Sequence, residues 1–363
     1  MPCDLRDGRI ELTSASKVAP ETAARLARHE LKEGDIVFSR RGDVGRTALV
    51  TSKSAGTICG TGCLRARPTA DVDPRFLALK VQSGPSKRWL EKNAVGQTMP
   101  NLNATIVGSL PVSYPNLQVQ QNIFEVINVW RASIETCADL IASTCKQRNA
   151  LAQQLLTGKR RLPGFSGEWT PYRLGQLFKE RLEPGRNDLQ LLSITTERGV
   201  IPQSEVGRKD SSTEDKSKYK RIAPGDIGYN TMRMWQGVSA LSSLEGIVSP
   251  AYTIVTPGQM IDGDFARHLF KLPRTVHDFR RYSQGLTSDT WNLKFKHFRE
   301  VTVRVPSVDE QQAIARTLTL AESVIDGYEQ LKAKLELEKR ALMQQLLTGK
   351  VRVPVATESE SEA

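Results

Sequence analysis

The heptapeptide Gln344-Gln345-Leu346-Leu347-Thr348-Gly349-Lys350 closes a long amphipathic stretch, and the same seven residues stand at Gln153–Lys159. One constant shift of 191 positions superimposes the two copies and much of the chain besides. Gly34-Asp35-Ile36 falls on Gly225-Asp226-Ile227, Asn101-Leu102 on Asn292-Leu293, Pro115 on Pro306, and Gln120-Gln121 on Gln311-Gln312. The chain is therefore a tandem duplication of a large unit and not a solenoid, whose repeats run to tens of residues.

Ahead of each heptapeptide runs one apolar stripe. In the second copy Ile314, Leu318, Ala321, Ile325, Tyr328, Leu331, Leu335, Leu342 and Leu346 recur mostly at spacings of three and four. Glu322, Glu329, Lys332, Lys334, Glu336 and Glu338 lie outside the stripe, which is the signature of a coiled-coil helix. Ile123, Ile127, Trp130, Ile134, Cys137, Leu140, Leu151 and Leu155 repeat it in the first copy. Pro306, Ser307 and Asp309, and Pro115 and Asn116, are start signals, while Gly349 and Gly158 are stops. The pattern predicts a helix over about 309–347, on the order of 58 Å long, with its natural partner in the other copy. The alternative, two helices each lying on its own domain, suits shorter elements. The resulting division is a first domain at 1–115, a first helix at 116–158, a hinge and second domain at 159–306, a second helix at 307–350 and an acidic tail at 351–363 with the composition of disorder.

At 363 residues the chain has room for two or three domains, and its 39% hydrophobic content supports a core in each. No apolar run reaches membrane length and Met1 is followed by charged residues, so a cytoplasmic protein without a membrane partner is expected. Lys and Arg outnumber Asp and Glu by 51 to 40, a net charge of +11 that fits a nucleic-acid binder without proving one. All five cysteines lie in the first half with no counterparts in the second. A disulfide or zinc site essential to the unit would occur in both copies, so free thiols are expected, and Cys59 with Cys63 is a poor metal pair beside four scattered histidines.

Between the helices the sequence is β-rich: 33–69 and 224–258 alternate β-branched runs with glycine turns. After each Gly-Asp-Ile comes a loop of contact-capable side chains. In the first copy these are Ser39, Arg40, Arg41, Asp43 and Arg46; in the second, Tyr229, Asn230, Met232, Arg233, Trp235 and Gln236. Such residues are hairpin positions with solvated charges and one buried Trp, or a nucleic-acid contact loop, since Arg and Asn are bidentate base readers. The charged run 208–221 reads as an exposed loop whose basic end (Lys216, Lys218, Lys220 and Arg221) lies on phosphates or in solvent. The segment 167–191 has no counterpart in the first copy, where it would precede Met1, so the first domain is expected to lack its front edge.

Four stretches together are highly specific: YNTMRMWQG (229–237) followed by GIVSPAYTIV (246–255), VPSVDEQQAIARTL (305–318), LMQQLLTGKVRV (342–353) and RLPGFSGEWTPYRLG (161–175). In order and duplicated, they make the chain resemble the specificity (S) subunit of type I DNA restriction–modification systems, over nearly its whole length. The resemblance implies an α+β fold: two β-rich target recognition domains, each reading half of a bipartite DNA sequence, joined by two long antiparallel helices with pseudo-twofold symmetry. It also implies double-stranded DNA as ligand, two adenine-N6 methyltransferase (M) subunits docked on the helices, and endonuclease/translocase (R) subunits in the full complex.

The chain carries no Asp-Pro-Pro-Tyr or Asn-Pro-Pro-Tyr methyltransferase signature and no G-x-G-x-x-G. Its TGK triplets lack the rest of a Walker A motif and suit helix C-caps. Asp73 and Lys80 resemble half of a nuclease set, without a matching acid in the second copy. The expected role is thus non-catalytic, with no cofactor, no metal and no catalytic residue. The expected DNA contacts are Arg40, Arg41, Arg46, Lys218, Lys220, Tyr229, Asn230, Arg233, Trp235 and Gln236. A stand-alone nuclease or methyltransferase, and a coiled-coil interaction scaffold, are the rival readings.

Overall fold

The computed structural model describes residues 1–13, 15–96, 99–184, 188–196, 198–207 and 216–354. Most of the charged run 208–221 and nearly all of the acidic tail lie outside the described residues. The fold is α+β. The chain forms two compact units, Met1–Ala138 with Gln330–Ala363, and Asp139–Glu329. The division passes through both long helices instead of falling at their ends, so each unit holds one domain with part of each helix.

In the first unit, Asp7 and Gly8, both at positive φ (48° and 76°), turn a short hairpin of β1 (Leu5–Arg6) and β2 (Arg9–Ile10). A short helix, α1 (Pro20–Arg25), follows. The central strand β3 (Ile36–Ser39) lies between β4 (Thr47–Leu49) and β5 (Cys63–Ala66), all antiparallel. Alternation along β3 sends Ile36 and Phe38 into one cluster with Val44, Val81, Leu90 and Leu102, and Val37 into another with Leu5, Leu31 and Cys63. Burial pushes the Cys63 thiol up to about 11, so it stays protonated. The buried Asp35 carboxylate takes a two-pronged 2.7 Å contact from Arg67. Helix α2 (Pro74–Val81) begins where Asp73 accepts from the N–H groups of Arg75 and Phe76. After it come α3 (Gly84–Asn93), α4 (Ala104–Gly108) and the 39-residue α5 (Leu117–Leu155).

The second unit repeats this plan with additions. β6 (Thr170–Arg173), α6 (Leu174–Leu177) and β7 (Phe178–Glu180) come from the segment without a first-copy counterpart. A hairpin of β8 (Leu192–Thr195) and β9 (Gly199–Pro202) precedes β10 (Lys220–Ile222), β11 (Ile227–Asn230), β12 (Ser239–Leu241), β13 (Gly246–Val248) and β14 (Tyr252–Pro257). The main sheet runs β12-β11-β14-β7, so β7 adds a fourth strand beside the three that match the first unit. Asp226, the counterpart of Asp35, is held here by Arg181 just after β7, at 2.7 and 3.0 Å. Helices α7 (Gly263–Leu269), α8 (Pro273–Tyr282) and α9 (Phe295–Phe298) enclose Phe178, Tyr229, Phe270, Phe279 and Phe298. β15 (Thr302–Val305) pairs with β6 and leads into the 40-residue α10 (Val308–Leu347).

In the first unit Ile123 and Ile127 of α5 pack with Leu346 and Leu347 at the end of α10, on Phe76 and Leu79 of α2. In the second unit Leu155, at the end of α5, packs with Ile314, Ala315 and Leu318 near the start of α10. Start meets end in both, so the helices run antiparallel. The expected stripe is not buried throughout: Leu140 and Leu331 are 40% and 45% exposed. A straight helix drifts about 20° per heptad from a 3.5-residue repeat, and these two residues near the helix centres are turned outward. A twin clamp ties each helix to its domain. Fully buried Gln120 donates to the carbonyls of Asp71 and Pro115 and accepts from Asp73 N. Gln311 does the same for Met260 O, Pro306 O and Asp262 N. Asp73 and Lys80 are structural, one the N-cap of α2 and the other donating to Leu347 O at the end of α10.

Candidate nucleic-acid interface

In the second unit β11 ends at Asn230 and the chain turns through 231–237 before β12. Asn230 accepts from Met232 N at 3.0 Å, a local turn contact. Met234 points inward and is fully buried, fixing the loop to the core. Gly237, at φ 79°, closes the short 3-10 turn Met234–Gln236. Lys271, between α7 and α8, reaches the loop from below. Its ammonium donates to Gly237 O at 2.6 Å and Ser239 O at 2.7 Å, and burial pushes its pKa down to about 8. The Trp235 indole N–H donates to Met232 O, and its ring meets Trp291 edge-on with centroids 5.2 Å apart. The Arg280 guanidinium lies 5.0 Å from the Trp291 ring centroid.

This framework leaves the exposed Arg233 and Gln236 side chains without a hydrogen-bond partner among the described residues, beside the half-buried Trp235–Trp291 pair and Arg280. The arrangement suits a polyanion carrying flat bases: fixed cations for phosphate, aromatic edges for packing, and two free polar side chains for base edges. Asn230 and Trp235 serve chiefly to hold the loop. Tyr229 must be removed from the expected contacts, because it is fully buried and stacks on Phe298 at 5.2 Å. Strand alternation that puts Asn230 at the surface sends Tyr229 into the core. Lys220 is also corrected: its ammonium donates to Tyr252 O at 2.8 Å within the sheet region. Lys218 is exposed, away from any described partner.

The first unit builds the corresponding loop from different side chains. Leu102 N donates to Arg40 O just as Leu293 N donates to Thr231 O, so the two backbones share a frame. Val44 is the buried anchor. Arg40 is drawn inward, its Nε donating to Asn101 Oδ1 at 3.2 Å, which removes it from the set of free readers. Arg41 is exposed with its side chain free among the described residues. Arg46 is exposed but paired with Asp43 at 3.2 Å, and Lys87 of α3 lies 3.9 Å from the same carboxylate. A Cβ on Gly45 would lie 2.5 Å from the Lys87 side chain, so that glycine permits the lysine to cross the loop.

Arg280, Trp291 and Lys271 escaped the sequence reading. Trp291 and Arg280 lie dozens of residues from the loop, and the one usable signal was a Trp in the polar stretch 285–294 at the shared Asn-Leu. Nothing in the sequence around Lys271 sets it apart from other surface lysines.

Residues 8–142 match the family model described as the type I restriction modification DNA specificity domain. The putative type I restriction enzyme MjaX specificity subunit of Methanocaldococcus jannaschii is 20% identical over 380 aligned positions, which span 96% of this chain and 86% of that protein. Among solved structures, a chain from a study of complex assembly and conformational transition of the type I R-M system matches with a TM-score of 0.57 and 18% identity, covering 89% of this chain and 83% of that one. The HsdS subunit from Thermoanaerobacter tengcongensis matches with a TM-score of 0.51 and 16% identity, over 96% and 90% of the two chains. At such identities the structural likeness speaks for the fold.

Proposed function

We infer that this chain, a member of the type I restriction–modification specificity family, reads a bipartite DNA site with its two domains and lends that choice to methyltransferase subunits docked on α5 and α10. The observation that carries this reading is the shared loop frame with divergent side chains. The first-unit loop carries Arg41 and Arg46, whereas the second-unit loop carries Arg233 and Gln236 beside Trp235 and Trp291. A duplicated reader facing two different half-sites needs just this: constant backbone, variable tips. In this reading the chain is not itself a catalyst. Two adenine-N6 methyltransferase subunits supply the chemistry, endonuclease/translocase subunits join them, and the complex works on DNA in the cytoplasm. The net charge of +11 favours approach to DNA by long-range attraction.

The test is methylome sequencing of cells carrying the chain with its methyltransferase, against cells lacking the chain. A bipartite methylated motif that vanishes with the chain is expected. Arg233→Ala should relax one half of that motif and leave the other, with about 1–3 kcal/mol of lost discrimination at the affected base. Relaxation of both halves together, or of neither, would refute the assignment of this loop as a separate reader.

A further inference from the structure

Beside the loop 231–237 of the second unit stands another, 285–291, in the connection from α8 to α9. Gln284 and Asn292 close its base through two backbone hydrogen bonds of 2.8 Å. Within it, Thr287 O accepts from Thr290 N at 3.0 Å and from Trp291 N at 3.1 Å. The Asn292 side-chain amide donates to Gln284 O at 3.1 Å and to Thr290 O at 3.2 Å. Gly285, at φ 140°, makes the turn, and a Cβ there would lie 2.7 Å from the Thr290 carbonyl. The loop is braced from within, and it holds the Leu286 side chain entirely in solvent, at 100% exposure.

A single exposed apolar residue means little by itself, but this one recurs. In the first unit Val95 and Asn101 close the matching loop with backbone bonds of 3.0 and 2.9 Å. Gly96 turns it at φ 105°, with a Cβ there falling 2.8 Å from Met99 O, and Met99 is 64% exposed. Each of these loops hangs on the recognition loop of its own unit, through Leu293 N to Thr231 O and Leu102 N to Arg40 O. In the second unit Trp291 adds the edge contact to Trp235.

The polar side chains of the two recognition loops differ, as two half-sites would require, while the exposed apolar side chain beside them is kept as Leu or Met. A contact to a thymine methyl is tied to one base and would diverge with the readers. A wedge between stacked base pairs needs no particular base, and Leu and Met are among the side chains that serve as one. The surroundings suit a duplex. Arg280 and Arg281 at the end of α8 and Arg233 of the recognition loop are exposed cations for flanking phosphates. The other exposed residues of the loop, Thr287, Ser288, Asp289 and Thr290, are polar, so Leu286 does not belong to an apolar patch of the kind that centres a protein interface.

We propose that Leu286 is an apolar wedge that enters the base stack at the second half-site and opens one base step, kinking the duplex beside the bases that Arg233 and Gln236 read, with Met99 its counterpart in the first unit. The proposal rests on the function inferred above and adds to it a distortion of DNA by the specificity chain itself.

The experiment uses the full chain with its methyltransferase and an end-labelled duplex carrying the bipartite motif, whose bend is read by energy transfer between the ends. Leu286→Ala should reduce the bend by roughly 20° or more and weaken binding about tenfold. The weakening should be the same for matched sites and for sites mismatched at the base read by Arg233. Leu286→Met, which installs the first unit's residue, should keep both bend and affinity. The melting temperature of the chain should not change, because the side chain is fully exposed. An unchanged bend in Leu286→Ala would overturn the proposal, as would a lowered melting temperature. Relaxed choice at one base position would overturn it in favour of a methyl contact. Loss of methyltransferase capture, with DNA binding by the chain alone intact, would overturn it in favour of a protein contact. If wild type yields no bipartite motif, the function inferred above fails and takes this proposal with it; if the motif stands and Leu286→Ala behaves as wild type, the wedge alone fails.

Discussion

Replacing Gln311 by Leu should unfasten one domain from the long helix and leave the other untouched. The amide is fully buried and makes three contacts: 2.9 Å from Asp262 N, 3.1 Å to Met260 O and 2.9 Å to Pro306 O. Leucine fills much of the same volume but satisfies none of them, so one N–H and two carbonyls remain buried without partners. At about 1–3 kcal/mol for each unsatisfied group, and with some relaxation, the expected loss is roughly 3–6 kcal/mol. For a unit of this size that lowers its melting temperature by about 10 °C. Asp262 is also the N-cap of α7, its carboxylate accepting from Phe265 N, so displacement there frays the helix that supports Lys271 and the loop 231–237. Hydrogen exchange resolved along the chain is the right assay. Protection should fall across 260–272 and 308–318 while 71–81 and 117–127 keep theirs, and Gln120→Leu should give the mirror result. A melting temperature within about 1 °C of wild type, or equal loss of protection in both units, would refute the reasoning that each glutamine clamps its own domain.

Three further outcomes are expected. Lys271→Met removes both donors under the loop, so exchange at 231–239 should rise and recognition of the second half-site should weaken; unchanged exchange would show that Met234 alone holds the loop. Arg161→Met strips the buried Glu310 carboxylate of its two 2.6 Å contacts and should cost about 3–5 kcal/mol of second-unit stability in chemical denaturation; a cost under about 1 kcal/mol would contradict this. His268 is buried, and desolvation, then Arg267 and Arg148, push its pKa down to about 3, against about 6.5 in an unfolded chain. Glu322 lies 3.7 Å from Nδ1 but is already shared by two arginines. The unfolded state therefore takes up the proton first as pH falls, so this contribution is complete above about pH 6.5 and is lost progressively toward pH 3, with about 2 kcal/mol gone by pH 5. Denaturation at pH 7 and pH 5 should show that loss in wild type and a smaller one in His268→Gln.

The duplication and the two long helices could be read from the sequence because a repeated stretch and a helical period need no tertiary partner, while the α+β class came from the family resemblance. A repeated QQLLTGK, a stripe at three and four, and glycines at helix ends need no tertiary information. Residue choice within the loops was less legible. Tyr229 and Asn230 are neighbours with equal claim to a DNA contact, and only the strand's alternation against a core containing Phe298 sends one inward. Arg40 and Arg41 are likewise neighbours, separated in role by Asn101, 61 residues from Arg40 in the chain. The tertiary structure alone brings Arg280 and Trp291 to Trp235, and Lys271 to the carbonyls beneath them. It also joins Arg148 of α5 to Glu322 of α10, at 3.3 Å. Periodicity fixes which face of an element is apolar, whereas the partner of a polar side chain depends on contacts across long sequence separations, and these exist only once the chain has folded.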